Sequence, residues 1–339
     1  MAAGPPMTVF AIASFRWTAR GGWGMASLEH CQPDVPLTLD RHPLVPSPPT
    51  SRSAMLVGVG CGIAAASCWA AGFVAAKHGI VIGFEPEELA FHRFVWAGLA
   101  LLPVVMRAGV ADLGGVGWPR ALVFVLLAGP IQAIVAYTGF VLAPFGHGAV
   151  IHPASSMLYG LLLARLVLGE PLSARRALGA AATVVGLLLL AAEAVTTIGR
   201  QGIAGDLCFT LGGLMWAVFV TLLRRWGIAG SRAAILIAVL SLLFYTPLFA
   251  LVHGFDRIIA FGFAENLLQV LVQGGLAGVL AIYLFTRAVA VLGAGGAAAF
   301  PALVPGLTLL IGFVALGEVP SAIQLAGLVV VAIGFRFAL

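Results

Sequence analysis

The sequence predicts an all-α polytopic membrane protein, with ten transmembrane helices arranged as two inverted five-helix repeats. Three observations predict it. Hydrophobic residues make up 61% of the 339-residue chain and charged residues only 9%, with a mean hydropathy of +1.08. A soluble domain carries about 25% charged residues, and it cannot hide this much apolar side chain from water. The apolar residues also fall into long segments near the roughly 20 that one helical crossing of a bilayer needs. Finally, the chain writes one pattern twice: LGEPLSARRALGAAATVVG begins at Leu168, and LGEVPSAIQLAGLVVVAIG begins at Leu316.

The duplication sets the organisation. An offset of 148 lays Leu168, Gly169, Glu170, Ser173, Ala174, Gly179 and Gly186 over Leu316, Gly317, Glu318, Ser321, Ala322, Gly327 and Gly334, and Pro153 over Pro301. An offset of 147 lays Gly58, Cys61, Trp69, Ala70 and Lys77 over Gly205, Cys208, Trp216, Ala217 and Arg224. A period this long means two copies of one large unit rather than a solenoid of short repeats. The copies run over residues 55–195 and 203–339.

Residues 1–54 differ in kind. They hold eight prolines, scattered charges and no periodic apolar face, the composition of a disordered tail. The run Met7–Phe15 is too short to span a membrane and lacks the basic start of a signal peptide. A start at Met25 or Met55, with the tail mis-annotated, is the alternative.

From Met55 onward the expected helices cover 55–77, 87–106, 120–141, 146–167, 176–195, 204–223, 232–252, 267–289, 295–315 and 321–338. Helices are favoured because every backbone amide in lipid must be satisfied within its own segment. Many of the 43 glycines fall inside these spans, where small residues let membrane helices approach closely. With an inner N-terminus, Arg107, Arg120, Arg165, Arg175, Arg176, Arg224, Arg225, Arg232, Arg287 and Arg336 lie at inner ends, against Lys77, Arg200 and Arg257 at outer ends. That asymmetry places both termini in the cytoplasm. It also accounts for much of the +5 net charge, so no nucleic-acid role follows from the basic balance. Because each unit holds five crossings, two copies in one chain must lie in opposite orientations. Such inverted repeats place a solute site between the halves, near the bilayer midplane.

Trp69 followed by Lys77, Arg93 in AFHRF, and the Gly–Glu pairs at 169–170 and 317–318 carry a family resemblance, together with the glycines at 179, 186, 327 and 334. In this order and in two copies, they resemble the EamA-type ten-helix branch of the drug/metabolite transporter superfamily, over Met55–Leu339. The resemblance implies an inner-membrane carrier, often an exporter of amino acids, other metabolites or toxic compounds. It also implies that helices one to four and six to nine surround the cavity, with five and ten outside. The chain departs from the pattern in one place: the second copy has no arginine matching Arg93.

Within the spans, a few polar or aromatic side chains are candidates for contact with a solute: Trp69, Arg93, Gln132, Tyr137, His152, Trp216, Gln273 and Tyr283. The two tryptophans occupy matched positions on helices one and six, which suits cavity lining as well as the usual interfacial belt. His152 precedes the helix-breaking Pro153 and is a titratable group within a span. It is also the remaining candidate for proton coupling, since no Asp or Glu lies mid-span. Arg93 fits either an ion pair with Glu87 or Glu88, or a site facing an anion. Its neighbour His92 is expected to be peripheral. The amides and phenols on helices three and eight suit either helix-to-helix bonding or the few oriented contacts of an apolar pocket. Glu170 and Glu318 precede Ser173 and Ser321, which are placed as N-caps of helices five and ten. A carboxylate there suits the helix dipole as well as solute or proton contact.

The chain holds no P-loop, and Cys31, Cys61, Cys68 and Cys208 have no metal or redox spacing. No cofactor or metal is therefore expected. The partners expected are a small-molecule solute and the lipid bilayer; a homodimer stays open. A membrane enzyme would need clustered nucleophiles or acids at one face. A membrane-embedded sensor or interaction protein would need a sizeable soluble output domain.

Overall fold

A computed structural model describes residues 52–171, 173–197, 200–297, 300–317 and 319–338. The N-terminal tail, apart from residues 52–54, and Glu318 lie outside the described residues. Everything described falls within Val45–Leu339. Among the described residues there is no β-strand, as the composition predicts. The helices are α1 (Arg52–Ile82), α2 (Pro86–Ala108), α3 (Trp118–Ala128), α4 (Pro130–Leu142), α5 (Phe145–Val167), α6 (Ala174–Thr197) and α7 (Arg200–Trp226). They continue with α8 (Gly230–Val252), the short α9 (Asp256–Ala260), α10 (Gly262–Gln269), α11 (Ala281–Ala297), α12 (Val304–Leu316) and α13 (Ala322–Ala338). Seven helical spans among the described residues are long and apolar enough to cross a membrane, with Val304–Leu316 and Ala322–Gly334 as shorter apolar helices.

Two expected spans are interrupted, and proline explains both. The segment 118–142 is a rod broken at Gly129, whose backbone is extended (φ −97°, ψ −150°), just before Pro130. Proline has no N–H to continue the ladder. The ninth expected segment, 295–315, starts differently from its prediction. Its first residues close α11, and the chain resumes as a 3₁₀ turn, Phe300–Leu303, feeding the 13-residue α12. Pro301 and Pro305 each withhold a donor there. A helix of 13 residues rises only about 20 Å against a hydrocarbon core of about 30 Å. Between α10 and α11, Val270–Leu280 winds as a π-helix, a wider winding than the α form assumed from the sequence.

The duplicated motif folds the same way in both copies. α5 and α12 are followed by Gly169 (φ 71°) and Gly317 (φ 68°), in the left-handed region that glycine adopts without penalty. Four residues further on, Ser173 Oγ accepts a bond from Arg176 N (3.3 Å), and Ser321 Oγ accepts one from Gln324 N (3.0 Å). Both serines cap their helices as predicted.

α6 and α13 then pack on each other. A Cβ added to Gly334 would lie 2.8 Å from the Gly179 carbonyl, and one added to Gly186 would lie 3.0 Å from the Gly327 carbonyl. The pairs 179 with 334 and 186 with 327 run antiparallel. Because 179 and 327 are equivalent in the repeat, as are 186 and 334, each pair is the other with the copies exchanged. The remaining packing pairs up likewise. α1 lies on α11 as α7 lies on α4, and α12 lies on α1 as α5 lies on α7.

Ion pairs gather at two ends. At the end holding the α1–α2 turn, Arg257 Nε donates to Glu88 Oε1 (3.1 Å), His78 meets Glu265 (3.0 Å) and His147 meets Asp206 (2.9 Å). At the end holding the α5–α6 turn, Arg224 pairs with Glu170 and Arg232 donates to the Gly114 carbonyl (3.0 Å). All five of these contacts join residues from different copies of the repeat.

Candidate functional site

Between those ends lies a polar layer, and five of the eight predicted residues form it. Arg93 sits two turns into α2, and its Nη1 donates to Gln273 Oε1 (3.3 Å). The same oxygen accepts the Tyr137 hydroxyl of α4 (3.2 Å), while Gln273 Nε2 donates to the Gly72 carbonyl of α1 (2.9 Å). The amide of Gln273 can take only one orientation here. Its oxygen faces two donors and its nitrogen faces a carbonyl, and a flip would set donors against donors. Gln273 is 0% exposed and Tyr137 3%, so both depend on these partners, since an unpaired buried polar group costs about 1–3 kcal/mol. Gly72 makes the arrangement possible. A Cβ there would stand 2.9 Å from the Ala277 side chain and 3.5 Å from Arg93 Nη1.

The second part of the layer is Gln132 with His152. The Gln132 amide nitrogen lies 3.0 Å from His152 Nε2 and donates to the Gly212 carbonyl of α7 (3.4 Å). The His152 ring stands 5.9 Å from that of Phe73, which in turn meets Phe140 edge-on at 6.1 Å. Lys77 Nζ donates to the Phe140 carbonyl (3.2 Å).

The other three candidates stand apart from this hydrogen-bonded set. Trp69 lies one turn before Phe73 on α1, tilts against Phe285 with ring centroids 5.3 Å apart and packs on Ala66, Ala70 and Val304. Trp216 follows Gly212 by one turn, is 39% exposed and tilts against Phe219 at 5.2 Å. Tyr283 does not join the layer: it is 64% exposed on α11, ten residues or about 15 Å of helix beyond Gln273. Ten residues of α-helix turn about 1000°, which already leaves Tyr283 about 80° from the Gln273 face.

Two expectations about neighbours are corrected. Arg93 does not pair with Glu87 or Glu88. Glu88 accepts from Arg257 and from the backbone of Glu85 (2.7 Å), because the start of α2 lies more than a turn away from Arg93. His92 is buried rather than peripheral. It joins Trp96 Nε1 (3.1 Å) to Asn266 (3.1 Å).

Gln269, one turn before Gln273, was missed. Its Nε2 donates to the Ala75 carbonyl (3.0 Å), parallel to the Gln273–Gly72 bond. The i, i+4 spacing of the two glutamines was the signal that could have found it. The His147–Asp206 pair was also missed, because neither residue has a polar counterpart at the repeat offset.

Residues 56–192 match the EamA-like transporter family. That stretch is similar to the EamA-like family, in line with the resemblance carried by the sequence motifs. An uncharacterized transporter of Archaeoglobus fulgidus is 24% identical over 257 residues, spanning 75% of this chain and 87% of that one. A crystal structure aligns with a TM-score of 0.57 over 84% of this chain and 96% of that one at 17% identity, a likeness of fold alone. The matched part of the chain holds Arg93, Gln132, Tyr137 and His152. Gln273 and Gly212, which bond to them, come from the part beyond it.

Proposed function

We propose that this transporter carries a small metabolite, amino acid or drug-like solute out of the cell across the cytoplasmic (inner) membrane by alternating access, with both termini in the cytoplasm. Two five-helix repeats of opposite orientation, 55–195 and 203–339, rock about the polar layer. Arg93, Gln132, Tyr137, His152 and Gln273 contact the solute, and Trp69 and Trp216 line its path. One observation carries this reading. The layer is built across the repeats, with Arg93 and Tyr137 bonded to Gln273 and with Gln132 bonded to Gly212. Rocking of one repeat against the other therefore breaks and remakes the contacts that hold a solute. The mutual α6–α13 contact supports the inverted arrangement, and the arginine-rich α5–α6 end supports the cytoplasmic assignment of that side. The ties at both ends, Arg257–Glu88 at one and Arg224–Glu170 at the other, suit two gates.

The test is flux of metabolites into proteoliposomes. The intact protein is expected to move at least one solute, and His152→Ala to move it about tenfold more slowly, the loss of one buried hydrogen-bond partner. Absence of flux for every metabolite tried would defeat the reading. Unchanged flux in the variant would remove His152 from the solute path.

A further inference from the structure

The ion pairs among the described residues involve His78, His147, Arg176, Arg224 and Arg257, and Arg93 takes part in none of them. Its guanidinium carries five N–H donors, yet among the described residues it makes one side-chain hydrogen bond, to a neutral amide oxygen that already accepts from Tyr137. The helices around it offer no carboxylate. α1, α4, α5, α8 and α11 contain no Asp or Glu, and neither does the π-helical stretch. On α2 itself the acids are Glu87 and Glu88, in the first turn, and Glu88 is engaged with Arg257. A cation at this depth without a counter-ion costs several kcal/mol.

We infer that the transported solute carries a carboxylate and that Arg93 is its counter-ion in the bound state. This rests on the transport reading above. The planar fork of a guanidinium matches a carboxylate in two parallel bonds. The Tyr137 hydroxyl, which shares the Gln273 oxygen with Arg93, is a neutral donor that can turn from that oxygen to a bound carboxylate. A single arginine charge is balanced by a monoanion, which favours a carboxylate over a phosphate ester.

Matched probes test this on the full chain in detergent, with thermal stabilisation as the binding readout and proteoliposome flux as a second. The pairs are isovalerate with isovaleramide, benzoate with benzamide, and L-leucine with L-leucinamide; phenyl phosphate is added singly. At least one acid is expected to bind tenfold or more tightly than its amide. Arg93→Gln is expected to remove that preference, bringing the acid and its amide to similar affinities. Arg93→Lys, which keeps the charge without the fork, is expected to retain the preference at reduced affinity, and it serves if the glutamine variant does not fold. Equal binding of acid and amide, no binding by any acid, phenyl phosphate binding above every carboxylate, or an acid preference that survives Arg93→Gln would each overturn the proposal. Acid-selective binding without flux would sink the transport reading and leave the carboxylate site. Flux of amides and acids alike would do the reverse.

Discussion

Arg257 lies on α9, outside the helices long enough to span a bilayer, and reaches three acceptors: Glu88 Oε1 (3.1 Å), the Gly83 carbonyl (3.0 Å) and Glu85 (3.3 Å). The Glu88 carboxylate, with Glu85 behind it, holds the Arg257 guanidinium above its ordinary pKa. A base whose pKa is raised on folding contributes stability that is fully present below its unfolded value and is lost only as pH rises past the folded one. For an arginine that window lies above any working pH. Arg257→Gln is therefore expected to lower the melting temperature by the same amount at pH 7 and at pH 9, and a difference between the two would contradict this assignment. The cost is about 1–2 kcal/mol, because Glu88 is only 2% exposed and loses a charged partner. At this scale the sequence was informative for five polar residues inside apolar spans, while Gln269 and the His147–Asp206 pair escaped it. Arg93, Gln132, Tyr137, His152 and Gln273 all met. It was silent on which acid Arg257 would find, since Glu88 lies 169 residues away and no local pattern encodes such a pairing.

At the scale of elements, period and punctuation were legible and winding was not. Gly169 and Gly317, Ser173 and Ser321 stop and start helices by backbone chemistry alone, so their roles could be read directly. The π-helical stretch Val270–Leu280 could not, because its apolar, glycine-containing sequence suits either winding and tertiary contacts choose between them. At α6 and α13 the two copies meet with glycine facing a backbone carbonyl. Gly334→Leu is expected to destabilise the protein by about 1–3 kcal/mol, the cost of overpacking a tight contact, read as a lower melting temperature. Gly160→Leu in α5 is the control, since a Cβ there meets nothing within 4 Å, and it is expected to leave the melting temperature unchanged or raised. Equal effects of the two would mean that α6 and α13 do not approach as closely as their glycines indicate.

For the whole molecule, the duplication carries more than any single residue. Each copy brings polar groups that its own helices cannot satisfy, and the other copy supplies the partner: Gln273 for Arg93 and Tyr137, Gly212 for Gln132, Arg224 for Glu170. The proposed five crossings per copy would set the two in opposite orientations, and the exchanged pairs at 179 with 334 and 186 with 327 suit that arrangement. The turns at Ser173 and Ser321, alike in glycine conformation and serine cap, must then face opposite compartments. In a chain with its native cysteines replaced, Ser173→Cys is expected to react with a membrane-impermeant maleimide only after the membrane is opened, and Ser321→Cys to react in intact cells. Reaction of both from one side would give each copy an even number of crossings. The same-sense repeats left by that result could not rock about a shared midplane layer, and the alternating-access reading would fall with them.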